Sequence, residues 1–242
     1  MRYLIGVDDT DNLQSRGTGY RTRCMGSEVQ RFAHLECIVR HQLLVDPQIP
    51  YTSHNSSVCM VVDMDEARFE ELVDFCRSYL CSESAPGSDA GLCIAPLDQV
   101  ADEIQEFGLA ARSRVIQRQE AVTLGQKAQV LLEGLTGDHN GIIGALAAVG
   151  LQAVGNDGRY IWSPGIRELN GVYTAASLYQ STGIQAIVDL DKKPVPDNAR
   201  INVAPWPRPV LLTGKAVLLV EPAPAAESYE WQLLPKEIIK QY

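Results

Sequence analysis

The chain has 242 residues and a formal net charge of −9, and its apolar fraction of 45% is ordinary for a globular protein. This length is enough for one large domain or for two smaller ones with separate cores. No apolar run approaches the ~20 residues needed to span a bilayer, and the opening MRYLIGVDD reaches acidic residues too early for a signal peptide. The sequence therefore argues against a membrane protein and predicts a cytoplasmic location.

The negative charge is concentrated in one part of the chain. Between Asp63 and Glu106 there are twelve acidic residues and only two arginines. The first forty residues, in contrast, carry six arginines, at positions 2, 16, 21, 23, 31 and 40. A protein that binds a nucleic-acid backbone usually has a broad basic face. This sequence predicts at most a local basic patch near the amino terminus.

The six cysteines do not form a metal-binding or redox motif. Their spacing contains no C-x-x-C pair and no zinc-type array. Several lie among apolar residues, where a reduced thiol behaves as a small hydrophobic side chain. We therefore expect free thiols and no zinc.

Strand and helix patterns alternate along the chain. Short apolar runs predict strands at 2–8, 36–45, 57–64, 92–96, 158–163, 186–191 and 210–221. Apolar residues at helical spacing predict helices at about 18–33, 65–80, 97–113, 122–135 and 140–150. The final segment opens as a linker and ends in a short amphipathic piece. This alternation favours a two-layered α/β or α+β fold with a domain boundary near residue 120.

The stretch VDDTDNLQSRGTGYRT, residues 7–22, carries the strongest chemical signal. A predicted strand ends at Asp8, and Asp9 and Asp11 follow at once. Three carboxylates this close repel one another, and a divalent cation such as magnesium would relieve that repulsion. The turn around Thr18, flanked by Gly17 and Gly19, precedes a helix whose free N–H groups favour a phosphate. The alternative is an ordinary Asx-turn in which Thr18 only caps the helix.

Two further polar segments have structural and chemical interpretations. In TGDHNG, Asp138 or Asn140 suits the N-cap of the following apolar helix, and His139 is either an acid–base group for a substrate or simply exposed. In GNDGRYIWS, the Asp157–Gly158 pair is typical of a β-hairpin turn.

Several motifs together resemble the archaeal tRNA agmatinylcytidine synthetases, which use ATP to attach agmatine to an anticodon cytidine. IGVDDTD followed by Ser-Arg-Gly-Thr-x-Tyr is similar to the opening of that family, and NGIIGALAAVG is similar to its Gly-Leu-Ile-Gly-Ala-Leu-Ala-Ala-Ile-Gly segment. Weaker similarities lie in IPYTSHNSSVCM, APGSDAGL and RINVAPWPRPVLLTGKAV. The resemblance extends over almost the whole chain to about residue 220.

The resemblance implies roles for particular residues. Asp8, Asp9 and Asp11 would hold magnesium and the ATP phosphates, and Thr18 would stand where the family has a phosphate-accepting threonine. The implied nucleotide-binding residues are Thr10, Asp11, Gly17, Gly19 and Asn55, although Asn55 equally suits a loop that bonds to its own backbone. The implied substrate residues are Asp157 and Tyr160, and His139 is a further substrate candidate because of its acid–base chemistry rather than the resemblance. Since the family's Cys-Thr-Thr is replaced by Thr18-Gly19-Tyr20, the residue matching the acceptor threonine is Thr18, Thr22 or absent.

The resemblance also implies the architecture. It predicts a kinase-like domain at 1–120 that binds magnesium and ATP, a ferredoxin-like domain at 121–222 and a tail at 223–242. The family's OB-fold and zinc ribbon, which hold tRNA, have no counterpart here, so we expect a shortened relative that does not bind tRNA without a partner chain.

The sequence thus predicts an enzyme that transfers a phosphoryl or adenylyl group from Mg-ATP to a small substrate such as an amine. Two alternatives stay open at this stage: a non-catalytic module that binds a nucleotide or polyamine, and one subunit of a split tRNA-modifying complex. Association into a homo-oligomer is also left open.

Overall fold

The computed structural model describes residues 1–49, 51–52 and 54–239 and divides into two compact units, Met1–Val154 and Gly155–Tyr242. The division falls after Val154 rather than near residue 120. The reason is that the segment 121–154 contributes a strand and a long helix to the packing of the first unit. Both units mix helices with strands, as expected, but the kinase-like and ferredoxin-like assignments stay predictions.

The first unit is one antiparallel sheet with helices packed on it. Its strands are β1 (Arg2–Asp8), β2 (His34–Gln42), β3 (Ser56–Asp63), β4 (Gly91–Pro96) and β5 (Leu131–Gly134). Its helices are α1 (Thr18–Val29), α2 (Phe69–Glu83), α3 (Asp102–Ala111), α4 (Arg118–Ala128) and α5 (Ile142–Val154), with 3-10 turns at Glu66–Arg68 and Leu97–Gln99. The strand order is β5-β4-β1-β3-β2, so β1 lies at the centre with β3 and β4 beside it.

Helix α5 is the core element of this unit. Nine of its thirteen residues are buried, and it packs on β1, β3 and β4 and on α3. Glycines on both sides allow the close approach: a side chain at Gly6 of β1 would overlap the carbonyl of Ala145, and one at Gly150 would overlap the carbonyl of Ile104. A helix that is apolar nearly all round is therefore enclosed by its own unit.

The predicted helix at 122–135 is wrong in its second half. Helix α4 ends at Ala128, Gln129 takes a left-handed conformation with φ of 55°, and β5 begins at Leu131. Strand β5 then pairs with β4, with Gly134 opposite Gly91. The pairing satisfies the edge of β4, and this tertiary contact outweighs the local helical pattern.

The second unit contains the remaining elements. Its strands are β6 (Arg159–Trp162), β7 (Val172–Thr174), β8 (Ala186–Val188), β9 (Arg200–Asn202), β10 (Val210–Leu212), β11 (Lys215–Pro222) and β12 (Trp231–Leu233). Its helices are α6 (Ala175–Ser181) and α7 (Lys236–Ile239). The strand order is β6-β10-β11-β12-β9-β7, and β8 pairs in parallel with β11. Apolar side chains from β8, β9, β11 and α6 share one core.

One turn prediction and one strand prediction in this unit are corrected. The Asp157–Gly158 pair is not a hairpin turn, because it lies between the end of α5 and β6. The run at 210–221 is two strands, β10 and β11, joined by Thr213 and Gly214 with φ values of 49° and 71°. Two consecutive left-handed residues are what a tight hairpin requires.

All six cysteines are free thiols, four of them buried, as predicted. In the part of the chain that the structure describes, no helix has the length and apolarity needed to cross a membrane.

Candidate functional site

The end of β1 brings Asp8 next to two other segments. In the sheet register Asp8 lies opposite Gly91, the first residue of β4. On the helical side, Gly144 of α5 leaves the room that the Asp8 carboxyl group occupies, since a side chain at Gly144 would overlap it. Gly141, just before α5, donates its backbone N–H to the carbonyl of Asp89 at 3.0 Å. The acidic loop therefore lies between β4 and the N-terminal end of α5.

Asp8 and Asp9 are carboxylates in an unfavourable environment. Burial, followed by repulsion from Asp9, raises the pKa of Asp8 well above its ordinary value, although the Asp9 backbone N–H donates a hydrogen bond that opposes the rise. Burial, followed by repulsion from Asp89 and Asp11, raises the pKa of Asp9 to about 6. Asp9 also has a φ of 52°, which few non-glycine residues adopt. The two side chains gain from any bound cation that lowers this repulsion.

Asp89 is a site residue that the sequence analysis missed. Its Oδ1 accepts the backbone N–H of Asp138 at 2.7 Å, and its Oδ2 accepts the Asn140 side-chain amide at 2.9 Å. Its backbone N–H in turn donates to the Asp9 carboxylate. Asp89 belongs to the APGSDAGL segment, but only the pairing of β4 with β1 brings it beside Asp9.

Asp11 differs from its neighbours because both of its carboxylate oxygens accept hydrogen bonds from side chains or the backbone. Its Oδ1 accepts the Thr18 backbone N–H at 3.0 Å and the Thr18 hydroxyl at 2.8 Å. Its Oδ2 accepts the Thr52 hydroxyl at 2.6 Å. Asp11 thus holds the start of α1 and the loop before β3 together.

The Thr18 hydroxyl is also saturated and only 6% of the residue is exposed. Besides donating to Asp11, it accepts the Thr10 backbone N–H at 3.1 Å and the Thr10 hydroxyl at 3.2 Å. Gly17, not Thr18, is the N-cap of α1, so the predicted cap is shifted by one residue. Gly19 lies in the first turn of the helix. Thr10, Asp11 and Thr18 are therefore joined by a hydrogen-bond network that holds the loop, and Gly17 and Gly19 flank Thr18 along the chain.

The Asn55 side chain bonds to a different segment. Its amide donates to the carbonyl of Leu44 at 2.5 Å. The backbone carbonyl of Asn55 accepts the Leu43 N–H and the Gln42 side-chain amide. The side chain thus ties the loop to the segment after β2 rather than to the loop's own backbone, and the nucleotide role of Asn55 stays a prediction. Thr52, three residues earlier, makes the link to Asp11 instead.

His139 borders a hollow of about 500 Å³ lined by Arg118 and residues 137–140. Residues 137–140 are exposed, and His139 has a φ of 64°. Arg118 donates to the carbonyl of Asp138 at 2.6 Å. The Asn140 side-chain N–H donates to Asp89, and the Asn140 backbone carbonyl accepts the N–H of Ile143. The hollow therefore adjoins Asp89 and offers one guanidinium and one imidazole.

Asp157 and Tyr160 lie in the second unit and are nearly inaccessible. Asp157 is 2% exposed and Tyr160 is 6% exposed. Their substrate role stays a prediction.

The donor set fits magnesium in part. No group of three or more His, Cys, Asp or Glu side chains placed to hold one metal ion occurs within residues 1–49, 51–52 and 54–239. Asp11 already accepts three hydrogen bonds from Thr18 and Thr52, so an ion bound there would compete with them. Magnesium is often held by one or two carboxylates, with waters and substrate phosphates completing its shell. Asp8 and Asp9 match that smaller requirement, so they are the residues that would hold the ion.

Comparisons with known proteins gave matches among solved structures. No family model matches the sequence, and no curated protein does. Among solved structures, the chain is similar to a tRNA fluorescent labeling enzyme, with 28% identity and a TM-score of 0.55 over 62% of this chain and 36% of that one. It is also similar to apo TiaS, an agmatidine synthetase that acts on an isoleucine tRNA, with 26% identity and a TM-score of 0.51 over 62% of this chain and 35% of that one.

A third match is TiaS in complex with its isoleucine tRNA and ATP, with 27% identity and a TM-score of 0.51, over 62% of this chain and 36% of that one. The predicted resemblance to the agmatinylcytidine synthetases is thereby confirmed. This chain spans a little over a third of the length of these relatives.

Proposed function

We propose that this chain binds ATP with magnesium at the loop after β1 and transfers a phosphoryl or adenylyl group as part of a tRNA modification. The observation that carries the proposal is the pair of partly buried carboxylates, Asp8 and Asp9, whose pKa values are raised by burial and by acidic neighbours. The similarity to a protein crystallised with tRNA and ATP supports the choice of nucleotide and of reaction.

The ion would neutralise charge on the transferring phosphates, as in phosphoryl transfer generally. The residues of the chain would position the ion and the phosphates. Asp8 and Asp9 would hold the ion, while Asp11 and Thr10 fix the loop that carries both through their bonds to Thr18. Arg118, across the hollow, supplies a guanidinium suited to a phosphate oxygen.

The basic patch predicted near the amino terminus also supports an anionic ligand beside the loop after β1. The Arg16 guanidinium lies 3.9 Å from the centre of the Tyr20 ring, and that of Arg23 lies 5.7 Å from it. Burial, and to a lesser degree repulsion from Arg16, lowers the pKa of Arg23. Two guanidinium groups beside the start of α1 would gain from an anionic ligand.

The first experiment is calorimetric titration of the full chain with ATP, in magnesium and then in EDTA. Binding is expected only with magnesium, and Asp8→Asn or Asp9→Asn is expected to weaken it on the order of 100-fold, since each removes one ligand charge. Asp74→Asn, an exposed aspartate on α2, is the matched control and should bind like the unaltered chain. Binding that is equal in EDTA, or unaffected by both substitutions, would refute the proposal.

A second experiment separates the two transfer reactions. ATP labelled at the α- or the γ-phosphate is incubated with the chain and tRNA, and an amine such as agmatine is added only afterwards, because its attack would release the labelled group from the RNA. Label from the α-phosphate on RNA indicates adenylyl transfer, and label from the γ-phosphate indicates phosphoryl transfer. Mass spectrometry of the chain tests Thr18 directly, because a phosphate-accepting threonine gains mass with ATP and Thr18→Val cannot.

A nucleotide-binding subunit of a split tRNA-modifying complex is the second candidate. It is favoured by the net charge of −9, because a protein that binds a nucleic-acid backbone by itself usually has a broad basic face. In that case ATP binds as described, but neither label is transferred and a tRNA transcript is not retained by the chain alone.

A further inference from the structure

A row of polar side chains crosses the sheet at the acidic loop. The register of β1 and β3 pairs Val7 with Val58, so the next position of this antiparallel ladder sets Asp8 opposite Ser57. The register of β2 and β3 pairs Ser57 with His41. Ser57 therefore lies between an imidazole and one of the two carboxylates that would hold the magnesium ion.

Asp8 and Ser57 project to the same face of the sheet. Asp8 faces α5, since its carboxyl group fills the room that Gly144 leaves. Residues directly opposite each other on neighbouring strands share a face, with Cβ atoms about 4.5–5.5 Å apart, so Ser57 faces α5 as well. Met60, three residues along β3, lies on the other face, because its sulfur is beside Gly26 of α1. The Ser57 hydroxyl is thus directed towards the region of the Asp8 carboxylate.

The Ser57 hydroxyl is buried without a hydrogen bond. The residue is 0% exposed, and none of the residues with a described position supplies a partner for its Oγ. Ser56, the preceding residue, faces the other way and accepts the Arg40 Nε–H at 2.8 Å. A buried hydroxyl normally has a partner, because removing it from water without one costs free energy. An unsatisfied hydroxyl beside a buried carboxylate therefore indicates a ligand that both groups would contact.

The two groups select a hard cation. An anion is disfavoured, because Asp8 and Asp9 would repel it. Magnesium takes oxygen ligands at about 2.0–2.1 Å, so two ligands at right angles are about 3 Å apart. The oxygens of Ser57 and Asp8 are one and two bonds beyond their Cβ atoms, so the cross-strand spacing allows that separation. A serine or threonine hydroxyl is also a magnesium ligand in the P-loop nucleotide-binding proteins.

We infer that the Ser57 hydroxyl is a further ligand of the magnesium ion that Asp8 and Asp9 would hold. This inference rests on the proposed function and deepens it, because it adds a neutral ligand from a strand outside the acidic segment. The ion is then held by two neighbouring strands of one sheet, so its site exists before ATP binds.

The test is a titration of the full chain, without nucleotide, with Mn²⁺ as a paramagnetic substitute for magnesium, in which electron paramagnetic resonance measures the free ion. Ser57→Ala should weaken binding about tenfold, and Asp8→Asn should weaken it more. Ser56→Ala is the matched control for binding and should bind like the unaltered chain. In urea without metal, Ser57→Ala should be at least as stable as the unaltered chain, since it removes an unsatisfied hydroxyl.

A change of metal preference tests direct coordination. Ser57→Cys replaces a hard oxygen by a soft sulfur, so Mn²⁺ should bind more weakly and Cd²⁺ more tightly, with a new thiolate-to-cadmium absorption band. Ser56→Cys adds a thiol on the other face of the sheet and corrects for the native cysteines. It should not show the additional band.

Three results would overturn the inference: Mn²⁺ does not bind the unaltered chain, Ser57→Ala leaves Mn²⁺ binding unchanged, or Ser57→Cys and Ser56→Cys give the same cadmium band. The ATP titration decides the proposed function separately, because ATP can bring its own magnesium to Asp8 and Asp9. Magnesium-dependent ATP binding together with any of the three results removes only the role of Ser57.

Discussion

The two sides of the loop after β1 use the same residue type in opposite ways. On one side, Asp11 accepts three hydrogen bonds from Thr18 and Thr52, so its charge is stabilised by the fold. On the other, Asp8 and Asp9 are partly buried beside Asp89, and their pKa values are raised. Carboxylates within four residues of each other therefore separate into one that holds the loop and two that destabilise it unless a cation binds.

Substitutions can distinguish structural residues from binding residues, because the two kinds change the free energy of unfolding in opposite directions. Removing a satisfied charge leaves its donors without an acceptor and costs stability. Removing an unsatisfied charge relieves desolvation and repulsion and adds stability. The difference is largest in the metal-free chain, in EDTA.

The largest effect is expected for Asp11→Ala. The Thr18 N–H, the Thr18 hydroxyl and the Thr52 hydroxyl would lose their acceptor, which should lower the free energy of unfolding by about 3 kcal/mol. Urea unfolding followed by far-UV circular dichroism measures this, since all three tryptophans lie in the second unit. A loss no greater than that of the exposed control Asp74→Ala would contradict the structural role.

Asp8→Asn should have the opposite sign. The amide can still accept the Asp9 N–H, while the desolvated charge is gone, so the free energy of unfolding should rise by about 1–2 kcal/mol. The same urea experiment tests this, and added magnesium should stabilise the unaltered chain but not the variant. If Asp8→Asn is as destabilising as Asp11→Ala, the two sides of the loop do not differ.

The smallest effect is a pH dependence set by Asp9. Its pKa is about 6 in the folded chain, above the ordinary value of 3.8, so between these values the folded state binds the proton more tightly than the unfolded state. Stability should therefore fall as pH rises from ~4 to ~6 and change little above that. The contribution is on the order of 1 kcal/mol after allowance for solvent screening.

The measurement is the difference between the unaltered chain and Asp9→Asn in urea titrations at several pH values in that window. Taking the difference removes the titration of other groups. A difference that is independent of pH would show that the Asp9 pKa is not raised by folding.

Much of the first unit is readable from its sequence. The strand ending at Asp8 has the predicted bounds, and four of its helices lie close to their predicted positions. These elements have long apolar patterns of one period, and local pattern and packing agree. The hydrogen bonds between Asp11 and Thr18 could also be predicted from the sequence, because both residues lie in the same short segment.

What failed depends on contacts between distant segments. Residues 131–134 have a helical sequence pattern but form a strand, because they pair with β4. Strands of three residues, such as β7, β9 and β12, are too short for a period to be recognised. Asp89 and Thr52 were missed because each acquires its role only when another strand places it beside the loop.

The glycine contact between β1 and α5 also sets how the first unit opens. Since Gly6 lies directly under the carbonyl of Ala145, the central strand and the buried helix cannot separate without exposing most of the apolar core. Backbone amides of both elements should therefore exchange with deuterium at the slowest rates, and at nearly the same rate, because they become accessible in a single cooperative event.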